Sequence, residues 1–364
     1  MKRHLTMKAA GCFILCLVFV FKLHAQNNIP NKLNYNRLNG LALNQDIHTL
    51  LQEMNAVGEL SEEDKRFKTK FEDRFKYAFD RTEYLQRKDT ALNPINRIYQ
   101  NYWRKSLLDH STKSDKALEG QLLEFFKKEN SLHNFTTNKI KSKTIGRVYD
   151  DYIKGKGYHS TGYGKTGSLS DFLVWKSELD TTYRVSLIED TVLVNVHFMS
   201  GFISLGWEEY ATMGRYYPGG WTTSTALFCV KDAYDLKSES FGVSYLSHEG
   251  QHFSDHIHFP QLVQRDLEYR AKLTELSYAD KSIYLLIESF VNNARYDQEN
   301  AHPFADYCVI RDLSKLIFHS DLEKDPEIWK KVPCAEINKA ARQLFNLNTD
   351  QLNGKGKGVK SLIN

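Results

Sequence analysis

Through the first third of the chain, apolar residues return every three or four positions. Leu50, Leu51 and Met54 do so, then Phe67, Phe71, Phe75 and Phe79, then Tyr99, Tyr102 and Trp103, then Leu122, Leu123, Phe125 and Phe126. This period predicts helices over residues 26–145, with the aromatics as packing residues. From Asp171 to Asp232 the period falls to two. Val185 and Leu187, then Val192, Val194 and Val196, alternate with other residues, and Ala226–Val230 reads as a further apolar strand. Tyr216-Tyr217-Pro218-Gly219-Gly220 is a turn within this stretch. After Ser238 the helical period resumes almost to the end, where Gly354-Lys355-Gly356-Lys357-Gly358 reads as a loose, solvated tail. The expected fold class is α+β: a helical N-terminal region at 26–145, then a domain at 146–364 with a small sheet followed by helices.

The junction is glycine-rich, from Lys154-Gly155-Lys156-Gly157 through Gly162, Gly164 and Gly167, and is expected to be a flexible loop. Gly164-Lys165-Thr166 ends like a phosphate-binding loop. That motif needs a glycine five residues earlier, where this chain has His159, so a nucleotide site is not expected.

Residues 1–25 read as an export signal. Lys2, Arg3 and Lys8 precede an apolar run from Ala9 to Phe21, and Leu23-His24-Ala25 places the cut before Gln26. The run is shorter than the ~20 residues that span a bilayer. A secreted or periplasmic protein without a stable membrane span is therefore expected. The signal carries four of the 49 basic residues and no acid, leaving 45 basic against 45 acidic side chains. Balanced charge gives no basis for a nucleic-acid partner. Cys229, Cys308 and Cys334 remain, enough for one disulfide and too widely spaced for a thiolate metal site.

One segment carries chemistry. His248-Glu249-Gly250-Gln251-His252 lies in a stretch predicted to be helical, and side chains four apart share one helix face. Two imidazoles so placed can converge on one ion, with Glu249 beside it as a general base. A zinc ion held by three protein groups keeps one position for water and makes that water acidic. Val243, Leu246, Gly250, Phe253 and Ile257 form an apolar stripe away from the histidines, which predicts a helix with one buried face and one face on a cleft.

The third ligand has several candidates. His258 stands ten residues after His248, the spacing of the metzincin group. Asp255 stands where those proteins have the glycine that reverses the chain, and no methionine follows Met213 to supply their methionine turn. Glu268 lies on the next predicted helix, which Pro260 can open. Glu288 and Asp266 are further candidates.

In its pentapeptide and the following helix, the stretch from 222 to 277 resembles the gluzincin metallopeptidases, where a glutamate on the helix after His-Glu-x-x-His completes the site. The resemblance implies a zincin-like unit with His248, His252 and Glu268 holding one Zn2+ per chain, and Glu249 as base. Many members have an aspartate four residues after the ligand glutamate, and here Lys272 stands there. Glu275, on the same helix face, is the expected replacement for orienting a ligand histidine. His302 and Tyr245 are candidate catalytic donors to the oxyanion, and His256 extends the histidine face. The expectation is a secreted zinc metallopeptidase acting on peptide or protein substrates. The alternative is an exported metal-binding or envelope interaction protein without catalysis.

Overall fold

The computed structural model describes residues 14–16, 33–77, 91–109, 115–132, 145–223 and 225–363. Its class is mixed α+β. The described residues divide into two compact units, and the division is not one cut along the chain. One unit draws on 19–178 and 199–218, and the other on 1–18, 179–198 and 219–364. Residues 146–178 and 199–218 thus pack with the N-terminal helices rather than with the C-terminal ones. Of the expected export signal only Ile14–Cys16 is described, as strand β1, and the rest lies outside the described residues.

The first unit is built on the aromatic spacing. Its helices are α1 (Tyr35–Leu43), α2 (Ile47–Ala56), α3 (Glu62–Phe75), α4 (Asn93–Leu108), α5 (Asp115–Leu132) and α6 (Ile145–Gly155). Asn34, Asp46 and Ser61 cap the first three by accepting from the amides of Arg37, Thr49 and Asp64. Phe67, Phe71 and Phe75 run along the buried side of α3 with neighbouring ring centroids 5.9 and 4.7 Å apart. Phe79 lies outside the described residues.

The glycine-rich junction is not a loop throughout. It forms β2 (His159–Ser160) and β3 (Gly164–Thr166), and β3 pairs antiparallel with β4 (Leu169–Asp171). Gly162 and Gly167 take the positive φ that the turns require. Short strands with few apolar residues carry almost no period-two signal, which is why composition alone suggested a loop. β5 (Leu173–Trp175), β8 (Ser204–Leu205) and the short helix α7 (Trp207–Ala211) complete this unit.

The second unit has a sheet in which β6 (Ser177–Ser186), β7 (Thr191–Ser200), β9 (Gly220–Thr222) and β10 (Leu227–Val230) are ordered β1-β9-β10-β7-β6. Val192, Val194 and Val196 alternate inward on β7 as their spacing predicts. Five helices then follow a π-helical stretch over Ser240–Ser247, these being α8 (His248–His258), α9 (Gln264–Tyr278), α10 (Ile283–Asn293), α11 (Ala301–Phe318) and α12 (Pro326–Trp329). The sixth, α13, runs from Cys334 to Lys355. The tail beyond it is anchored. Val359 and Ile363 are buried, and the amides of Leu362 and Ile363 donate to Asp266 Oδ1 at 2.7 and 3.1 Å. Cys229, Cys308 and Cys334 are all free, so the possible disulfide does not form among the described residues.

Candidate metal centre

The helix expected to run unbroken from Phe241 into the histidines changes pitch at the site. Ser240–Ser247 is π-helical, and the α-helical turn begins at His248 itself. The change of pitch breaks the stripe counted at 3.6 residues per turn. Ile257 is 56% exposed, and Val243, Leu246 and Phe253 are only half-buried. Burial instead falls on polar residues, with His248, Glu249, Gln251, His252, Ser254 and Asp255 all buried. Gly250 permits this by letting α8 lie against the sheet: a Cβ there would meet Val185 Cγ1 at 3.1 Å.

Opposite α8, helix α9 brings Glu268 to the two histidines. The Nε2 atoms of His248 and His252 are 3.1 Å apart, and they lie 3.6 and 3.3 Å from Glu268 Oε2 and Oε1. These three residues form a group able to hold a metal ion. Donors bound at roughly 2.0–2.1 Å in a tetrahedral shell are about 3.3 Å from one another. The two imidazole nitrogens and one Glu268 oxygen at a time come near that value, with one donor atom from each residue within 4.8 Å of the others, and two imidazoles with one carboxylate are a zinc-type donor set.

The surrounding groups orient these donors. Nδ1 of His248 hydrogen-bonds Glu275 Oε1, which leaves Nε2 to face the group. Burial disfavours the His248 imidazolium, but the Glu275 and Glu268 carboxylates outweigh burial and push its pKa up to about 10. Burial likewise works against the Glu268 carboxylate. Facing His302, His252 and His248 overcome it and hold Glu268 well below the usual range. His302, at the start of α11, places Nδ1 3.0 Å from Glu268 Oε2. Lys272 does not face the histidines. Its buried ammonium lies 2.9 Å from Asp306 Oδ1, an ion pair under the site that the sequence did not disclose.

Glu249 is fully buried. Thr222 on β9 donates its hydroxyl to Oε2, while Oε1 takes no donor among the described residues. A buried carboxylate oxygen without a partner is costly unless something polar occupies the space before it. Thr222 gave no sequence signal, since it enters the site through the sheet, 27 positions before Glu249.

The other candidates are placed elsewhere. Tyr245 is fully buried, its ring stacked on Phe241 at 5.6 Å and packed against Gly220, where a Cβ would lie 2.5 Å from the Tyr245 ring. Asp266 holds the C-terminal tail, and neither it nor Glu288 is in the metal-ligating group. His258 meets Ser254 Oγ at 3.2 Å and is not in the metal-ligating group. His256 is half-buried one turn beyond His252, its pKa lowered by burial and by the His252 charge.

No protein-family model, curated protein or solved structure matches this chain.

Proposed function

We propose that the protein is a zinc-dependent metallopeptidase of gluzincin-like design, exported to the periplasm or beyond the cell. One observation carries this reading. The His248, His252 and Glu268 donors converge within 4.8 Å of one another beside a buried glutamate with one oxygen free of donors among the described residues. His248, His252 and Glu268 would hold the ion, which when bound acidifies a water and polarises a carbonyl.

The chain's own residues supply the rest. Glu249 takes the proton from the attacking water on Oε1 and returns it to the departing amine. Thr222 fixes Oε2, so the carboxylate keeps one orientation through both transfers. Glu275 holds the His248 ring, and His302, beside Glu268, is the donor to the developing oxyanion. Strand β9 is paired to β10 on one side and to Ile14–Cys16 on the other. Cleavage before Gln26 removes the latter and leaves an open edge next to Glu249 for an extended peptide. Among the described residues no helix is long and apolar enough to cross a membrane.

The test is metal content by elemental mass spectrometry on protein starting at Gln26, followed by turnover of a peptide library. Near one zinc per chain, lost in Glu268→Gln, together with hydrolysis abolished in Glu249→Gln, supports the reading. Zinc without hydrolysis of any peptide leaves a metal-binding protein. No metal after zinc is supplied overturns the proposal.

A further inference from the structure

A second concave site lies about a quarter turn round α8 from the metal-facing histidines. It is a cavity of about 360 Å³. That volume is at the small end of the roughly 300–1,000 Å³ found for ligand pockets. Gln251, Ser254 and Asp255 contribute its α8 wall, and Arg270 of α9 reaches its floor.

Arg270 is 2% exposed. Its Nε donates to Asp255 Oδ1 and Oδ2 at 3.0 and 2.9 Å, and Nη1 donates to Asn348 Oδ1 and Thr349 Oγ1, both at 2.9 Å. The guanidinium is clamped further by Phe345, whose ring centroid is 4.2 Å away. Nη2 is left without a protein acceptor among the described residues, on a side chain that lines the cavity. A guanidinium has five donors in a fixed fork, so a group rigidly held at Nε and Nη1 presents Nη2 in one direction.

The cavity's other features are of different kinds. Leu187, Phe259 and Phe345 supply apolar wall, Glu189 and Asp190, from the turn between β6 and β7, supply negative charge, and Lys357 and His258 also line the cavity. Burial raises the Glu189 pKa somewhat, with Arg270 acting against it. A plain anion would suit Arg270 and Lys357 but meet these carboxylates. A plain cation would suit the carboxylates and leave Nη2 without an acceptor.

We propose that this cavity binds a small zwitterion of the amino-acid or dipeptide class. The ligand carboxylate sits on Arg270 Nη2, its ammonium faces Glu189 and Asp190, and an apolar side chain lies against Leu187 and Phe345. On the peptidase reading such molecules are reaction products, but binding here does not depend on that reading.

The experiment is isothermal titration calorimetry of the protein with L-leucine, N-acetyl-L-leucine and L-leucinamide. Leucine is expected to bind, and each analogue, having lost one charge, about 10- to 100-fold more weakly. Glu189→Gln, an exposed change remote from the metal donors, is expected to weaken leucine about 10-fold and leave zinc content unchanged. Unaltered leucine binding in Glu189→Gln would place the amino acid on the metal instead and overturn the proposal. So would equal binding of leucine and N-acetyl-leucine, or no heat with leucine at 10 mM (about the weakest binding the method resolves).

Discussion

Thr222 and Glu249 tie the sheet to helix α8: the threonine hydroxyl holds one oxygen of a fully buried carboxylate and leaves the other open. A general base must keep its lone pair aimed while its charge changes. Thr222→Val keeps the shape of the side chain and removes the donor. It is expected to lower kcat about 10-fold with KM and zinc content little changed. A fall in bound zinc instead would make Thr222 a structural support of the site.

Glu275 and His248 give a prediction about affinity and pH. In the metal-free protein the facing carboxylates keep His248 protonated up to about pH 10. A metal must displace that proton, so binding strengthens about tenfold per unit as pH rises toward that value and levels off above it. Glu275→Gln removes the main support of the imidazolium, which lowers the pH at which levelling occurs. It also loses the charged partner of Nδ1, and zinc affinity at high pH is expected to fall about 10- to 100-fold. Competition with a chelator across a pH series measures both effects.

The grouping of His248, His252 and Glu268 was legible because its spacing is local: the two histidines are one helical turn apart, and Glu268 sits on the next helix. The strands carrying Val192, Val194 and Val196 were legible for the same reason. What could not be read depends on contacts distant in sequence. Thr222 reaches Glu249 through sheet pairing, and Asp306 reaches Lys272 across two helices. The change to π-helical pitch over Ser240–Ser247 has no periodic signature of its own, so the wheel misplaced Val243 and Leu246, which are only half-buried.

Glu208 sets a pH dependence in the other compact unit. It is buried, its Oε2 has no donor, and burial with the nearby Asp171 charge raises its pKa from 4.5 to about 8. The folded state therefore binds a proton that the unfolded chain releases above about pH 4.5. Stability from this group is fully present below that pH and falls by about 1.4 kcal/mol per unit until the folded pKa is passed. Asp171, raised to about 6 by burial, acts in the same sense. Glu208→Gln is expected to match the parent at pH 4.5 and exceed it in urea midpoint at pH 8. Equal midpoints at both values would contradict this account.

Gly250 and Val185 set how closely α8 approaches the sheet. Gly250→Ala puts a methyl 3.1 Å from Val185 Cγ1, so the valine must shift by tenths of an ångström, at a cost of about 1–3 kcal/mol. In a Val185→Ala background the clash is gone, and alanine's helix propensity should make the same change neutral or favourable by up to ~1 kcal/mol. A double-mutant cycle by chemical denaturation reads the coupling.

Lys272 occupies the place where the resemblance calls for an aspartate, and its pairing with Asp306 explains how a lysine is tolerated there. Burial lowers the lysine pKa, but Asp306, Glu268 and Glu275 together raise it above the ordinary value. In the metal-free protein Lys272 thus joins the His248 imidazolium as a buried cation among the carboxylates of Glu249, Glu268, Glu275 and Asp306. Removing one partner of a buried pair costs ~3–5 kcal/mol because the other charge stays buried. Lys272→Met leaves these acids with one cation fewer when the metal is absent, whereas a bound divalent ion would offset that loss. The gap in Tm between zinc-loaded and chelator-stripped protein is therefore expected to widen in Lys272→Met. In Lys272→Met/Asp306→Leu it should narrow again, since the orphaned carboxylate has gone. A gap that stays the same in all three proteins would mean that the pair serves packing alone and has no electrostatic tie to the metal donors.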